Sequence, residues 1–154
     1  MNAFVGERAM RTHSFDLPLP PAEAFHLFEP EGERSWAPGW NPVYVFPADG
    51  QPEKGMVFTT GEGVEFTIWI VLGYAPSAGA VEYARITPGA RLAIVRVQCL
   101  ASEPAKTRVT VSYEFTGLSE AGNAYVRSMD ESAYSTFIDS WGETIRRSAQ
   151  PATP

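Results

Sequence analysis

The sequence predicts an α+β fold: a curved antiparallel sheet of seven strands wrapped around a long C-terminal helix, with one or two short helices after the first strand. Two observations carry this. Seven apolar or alternating runs are joined mostly by short turn-forming segments, and a parallel return would need a crossover of a dozen residues or more. The stretch from Ser119 to about Arg147 lacks proline and repeats its apolar and small residues at helical steps.

From Arg11 to Leu19 residues alternate, with His13, Phe15, Leu17 and Leu19 on one face and Ser14 and Asp16 on the other, as in a half-buried strand. Pro20-Pro21 stops it, and Pro21 suits the first turn of a short helix over 22–28, where Phe25 and Phe28 share the inner face. Residues 29–42 are dense in turn formers. Proline and glycine exclude a regular element there, so Trp36 and Trp40 are expected on irregular backbone. Strands follow over 43–47, 55–60, 64–74, 80–87, 91–101 and 107–116, punctuated by Asp49-Gly50, Gly61-Glu-Gly63, Pro76-Ser-Ala-Gly79, Pro88-Gly89 and Glu103-Pro104. Ser119 is a suitable N-cap for one uninterrupted helix of roughly 40 Å. Gly122, Val126, Met129, Ala133, Phe137, Ser140 and Thr144 form its stripe, and Glu120 and Arg146-Arg147 complement its dipole.

A length of 154 residues argues for one domain over 1–154, with an ordered core of about 8–147 and a loose tail at 149–154. Hydrophobic residues at 44% and charged ones at 19% indicate a globular chain rather than a disordered one. Twelve basic against eighteen acidic side chains leave a charge of −6, which draws the surface toward neither nucleic acid nor anionic lipid. The longest apolar stretch, Ile68 to Ala75, is too short for a membrane span, and no basic-then-apolar leader opens the chain, so a cytoplasmic protein is expected. The lone Cys99 cannot form an intramolecular disulfide, and no motif calls for a metal or other cofactor. Dinucleotide, P-loop and nucleophile-elbow signatures are missing.

One helix across a curling sheet covers its middle without filling the hollow, and Gly122, Ala133 and Ser140 are small where a filled core would want Leu or Ile. A cavity between helix and sheet is therefore expected; strand aromatics reaching inward to fill it are the alternative. The opening strand with Pro20-Pro21-Ala-Glu-Ala-Phe25, the connection Trp36 to Pro42 and the closing strand–helix pair from Thr107 to Arg147 resemble the helix-grip fold of the START and birch-pollen-allergen superfamily, also called SRPBCC. Within it the chain resembles bacterial polyketide cyclase/dehydrase-like and lipid-transport-like proteins. The resemblance covers about residues 8–147 and is one of layout rather than of a catalytic motif. It implies binding of a small apolar or aromatic, lipid- or polyketide-like metabolite under the terminal helix. It leaves open a cyclase or dehydratase acting in the same hollow, since the fold alone does not set the task.

The residues expected to line the hollow are Trp36, Trp40, Trp69, Tyr113, Tyr125, Met129, Ala133 and Phe137. For each, plain core packing is the competing reading. The candidates for acid–base chemistry are His13, Glu82, Arg85, Tyr113 and Asp130. His13 could carry protons near neutral pH or sit wet at a strand start, whereas His26 is expected on the outer side of its helix. If Thr87 to Ala90 closes as a two-residue turn, residue 84 pairs with 93 and 82 with 95. Glu82 then faces the cavity while Tyr83 and Arg85 face solvent, and a slip of one residue reverses this. The inward hydroxyl of Tyr113 needs a partner, which a ligand, a water or Asp130 could supply. A third possibility is an interaction module, with Leu92, Ile94 and Leu100 as an outward apolar patch, or the same residues at a homodimer interface. Monomer and homodimer both remain open.

Overall fold

The structure, a computed structural model, describes residues 3–149. The strands are β1 (Arg8–Leu17), β2 (Val43–Phe46), β3 (Val57–Thr60), β4 (Thr67–Ala75), β5 (Ala80–Thr87), β6 (Arg91–Glu103) and β7 (Lys106–Gly117). The helices are α1 (Pro21–His26), α2 (Glu120–Ser128) and α3 (Glu131–Ser148). All strands lie in one antiparallel sheet ordered β1-β7-β6-β5-β4-β3-β2, so the first strand returns to pair with the last. This is the helix-grip arrangement. The expected loose tail lies outside the described residues except for Ala149. Among the described residues no helix is long and apolar enough to cross a membrane.

Alternation places the inner face. On β7, Val109, Val111, Tyr113 and Phe115 are buried, and β1 lays Phe15 and Leu17 beside them. Phe25 and Phe28 of the α1 region close one end of this core, and Tyr134, Ile138 and Ile145 of α3 cover it. Gly142 lets α3 sit close on β1, because a Cβ there would stand 2.8 Å from the Phe15 ring.

Four expectations from the sequence are corrected. The terminal helix is not continuous: Met129 leaves helical geometry at ψ 61°, and Asp130 starts a new helix by accepting the Ala133 N–H at 2.8 Å. Arg11 of β1 donates to the Met129 carbonyl at 3.0 Å, so a tertiary partner satisfies one of the carbonyls freed at the break. Within 29–42 the chain makes one short 3-10 turn, Gly32–Ser35. Residues Gly63–Glu65 form another, which delays β4 to Thr67.

The fourth correction concerns the β5–β6 turn. Ala90 N–H does donate to the Thr87 carbonyl at 3.0 Å, with Gly89 at φ 73°, but pairing resumes at Thr87–Arg91. The Ala90 carbonyl is taken instead by the Leu118 N–H at 2.8 Å, and α2 packs on it through Gly122, where a Cβ would stand 1.7 Å from that oxygen. The extra residue shifts the register by one, pairing Arg85 with Ala93, Tyr83 with Val95 and Glu82 with Arg96. Gly122 is thus a close-approach glycine on this turn and leaves no void of its own.

Candidate functional site

A cavity of about 550 Å³ lies between the inner face of the sheet and α3, roofed at one end by residues 33–40. Its wall includes Pro38, Gly39, Gly61 and Ser140, all exposed, so it opens to the surface between the two loops and the helix. The size falls within the range of small-molecule sites.

Each wall element contributes by its own periodicity. Strands β3 and β4 supply Phe58 and Trp69, whose rings stack at 5.6 Å and 5°. From β5 come Tyr83 and Arg85, from β6 Val95 and Val97, and from β7 Tyr113. Along α3, Phe137, Ser140, Trp141 and Thr144 follow one another at helical steps beside the fully covered stripe of Tyr134, Ile138 and Ile145. The irregular segment brings Trp36 and Trp40. Their indole nitrogens donate to the Leu27 and Pro30 carbonyls at 2.8 and 2.7 Å, which holds both rings against the wall. Trp36 sits against Trp141 at 5.6 Å and Trp40 stands edge-on to Trp69 at 5.4 Å.

The polar groups are few. Arg85 lies across the strand pair from Trp69 with its guanidinium 4.8 Å from the ring centroid. Among the described residues no carboxylate lies within 4.0 Å of it, and its polar neighbour is the Tyr113 phenol. Glu33, from the 3-10 turn, reaches the same wall and likewise makes neither an ion pair nor a side-chain hydrogen bond there. Burial pushes the Glu33 carboxyl well above the ordinary carboxylate range, with the Arg85 charge pulling the other way. Burial likewise raises the phenol of Tyr113, partly offset by the neighbouring Arg85. Tyr83 is also pushed up by burial and donates to the Phe28 carbonyl at 2.7 Å. The site therefore combines an aromatic enclosure, one fixed cation and one carboxyl whose ionisation burial makes harder.

The expected residues divide. Trp36, Trp40, Trp69, Tyr113 and Phe137 line the cavity, as does Arg85. Tyr125 lies outside it, under the Arg91 guanidinium at 4.0 Å and against Phe115. Met129 and Ala133 stand at the helix break and are not on the wall, because the break redirects the stripe. Glu82 faces away from the cavity and pairs with Arg96, which also holds Glu114 at 2.7 Å on the outer sheet face. His13 points toward α3 and its Nε2 lies 2.8 Å from Asp139, away from the cavity. Asp130 is a helix cap, so it does not partner Tyr113. His26, exposed, pairs with Glu29, whose other oxygen accepts from Tyr74. Cys99 is buried and its thiol is pushed up to about 12 by desolvation.

Sequence reading missed Glu33, Tyr83, Phe58 and Trp141 on this wall. Trp141 carried a signal, four residues beyond Phe137, and Phe58 sits at the centre of a short apolar strand. Glu33 carried none, since nothing in an irregular segment fixes where a carboxylate points.

No known protein-family profile matches the chain, and no curated protein matches it. Solved structures do. A truncated norcoclaurine synthase from Thalictrum flavum aligns over 99% of this chain and 100% of that one, at 10% identity and a TM-score of 0.69. The same enzyme in complex with dopamine and hydroxybenzaldehyde aligns over 96% and 91%, at 8% identity and a TM-score of 0.65. Ginseng major latex-like protein 151 from Panax ginseng aligns over 94% and 99%, at 13% identity and a TM-score of 0.69. At such identities the likeness is one of fold.

Proposed function

We propose that this protein binds a small, largely apolar aromatic molecule in the cavity between α3 and the sheet. The observation that supports this most directly is the wall itself: all four tryptophans of the chain, Trp36, Trp40, Trp69 and Trp141, border one space of about 550 Å³. Indole faces offer large, rigid contact area at little entropic cost, which favours flat rings over flexible acyl chains. Aliphatic side chains on the wall are few, chiefly Val95 and Val97. The fold is shared with an enzyme whose structure holds dopamine and hydroxybenzaldehyde, two small aromatic compounds.

Titration with the neutral fluorophore N-phenyl-1-naphthylamine tests the reading. Saturable emission enhancement with transfer from tryptophan is expected, and Val95→Phe, which places a ring in the void, should weaken binding about tenfold while leaving the circular dichroism unchanged. A probe that fails to saturate, or an affinity indifferent to this substitution, would count against the cavity as the site.

A second reading, a cyclase- or dehydratase-type lyase, is favoured by one observation. Glu33, raised by burial, shares the wall with Arg85 and Tyr113, so a proton carrier stands beside a fixed positive charge. Its test is hydrogen–deuterium exchange at the methyl group of 2-acetylnaphthalene, followed by NMR. This reading expects acceleration that Glu33→Gln abolishes, and exchange at the buffer rate rejects it.

A further inference from the structure

Within the binding reading just given, on which this inference rests, the charge on the wall narrows the ligand class. Arg85 and Glu33 are the charged residue types among the described residues that line the cavity, so Arg85 is its one cation. Its side chain emerges from the inner face of β5 and leans over Trp69 at 4.8 Å, with no carboxylate within 4.0 Å. Several arginines on the outer surface do have carboxylate partners. Arg96 holds Glu82 and Glu114, Arg91 holds Glu65 at 3.0 Å, and Arg108 holds Asp16 at 3.3 Å. Removing a guanidinium from bulk water without a counter-charge is costly, and a π face offsets only part of that cost.

We infer that the cavity takes a monoanionic aromatic carboxylate, its carboxylate seated on the Arg85 fork and its ring among the tryptophans. The planar guanidinium matches a carboxylate through two parallel N–H···O bonds, which a single ammonium could not supply. A dianion such as a phosphate monoester would leave one negative charge without a cation in an aromatic enclosure. A neutral ring system would leave the guanidinium unpaired. Glu33 fits the same picture: burial raises its carboxyl well above the ordinary range, so it opposes Arg85 less than an exposed carboxylate would and, when protonated, offers an O–H donor to the wall. The Tyr113 hydroxyl, which lies against Arg85 on the same wall, adds another.

Isothermal titration with an isosteric pair, 2-naphthoate and 2-naphthamide, tests this at neutral pH. The wild-type protein is expected to bind 2-naphthoate at least about tenfold more tightly than the amide, the worth of a charge-assisted hydrogen bond. Arg85→Met should remove about that factor from 2-naphthoate and leave the amide within about threefold, with Arg85→Lys between the two. Equal affinities of the wild type for acid and amide, or an unchanged 2-naphthoate affinity in Arg85→Met, would overturn the inference. The wild-type comparison decides even if the variants fail to fold. Binding of N-phenyl-1-naphthylamine without any preference for the acid would refute the anion inference alone. Failure of all three probes would refute the cavity reading with it.

Discussion

Glu33 illustrates how one side chain can carry information that its neighbours in sequence do not. It comes from a short 3-10 turn, and burial makes its ionisation harder in the folded protein than in the unfolded chain. A carboxyl whose folded pKa is raised holds its proton longer in the native state, so stability is full below the unfolded value and declines as pH rises through the folded one. Urea unfolding of wild type and Glu33→Gln across that window should show the variant gaining on the wild type with rising pH, then a constant difference. Parallel pH profiles would mean that Glu33 ionises as freely folded as unfolded. The groups that share the wall with it are Arg85, Tyr83 and Tyr113; both phenols are raised by burial and stay neutral, so Glu33 is the wall group that titrates in this range.

Between elements, the decisive contacts are those that interrupt regularity. The terminal helix breaks at Met129-Asp130 although Ser128, Met129 and Asp130 contain no proline or glycine. Local propensity is weak there, and Arg11 and the Asp130 cap outweigh it by satisfying the groups that a break exposes. Continuous periodicity in the sequence was compatible with one helix or two, because both phases place apolar residues inward. The seat of α2 on the β5–β6 turn is the second such contact. Gly122 meets the Ala90 carbonyl so closely that any side chain must push the helix away. Gly122→Ala is expected to cost about 1–3 kcal/mol in urea-monitored stability, the range for overpacking, despite alanine being the better helix former. A neutral or stabilising result would show that α2 is free to shift on this turn.

Across the molecule, the strand succession, the long covering helical region and the aromatic character of the interior were all legible in the chain. They depend on nearest-neighbour chemistry and on periods of two and 3.6, which alternation on β7 and the proline-free C-terminal stretch display openly. Trp36, Trp40, Trp69, Tyr113 and Phe137 could be nominated because bulky aromatics on an inner face have few other places to go. The side of β5 that meets the cavity could not be read this way. Residues 82–85 have side chains able to serve either face, and a turn of Thr87-Pro88-Gly89-Ala90 accommodates either register. The observed register goes with the Leu118 N–H bonding the Ala90 carbonyl and with the β4–β5 pairing, contacts between distant parts of the chain. That register turns Arg85 and Tyr83 inward and Glu82 outward. Composition and periodicity therefore set the architecture and its apolar interior, while the cation in the cavity was chosen by packing. A strand's register is a long-range quantity that no local stretch of sequence encodes.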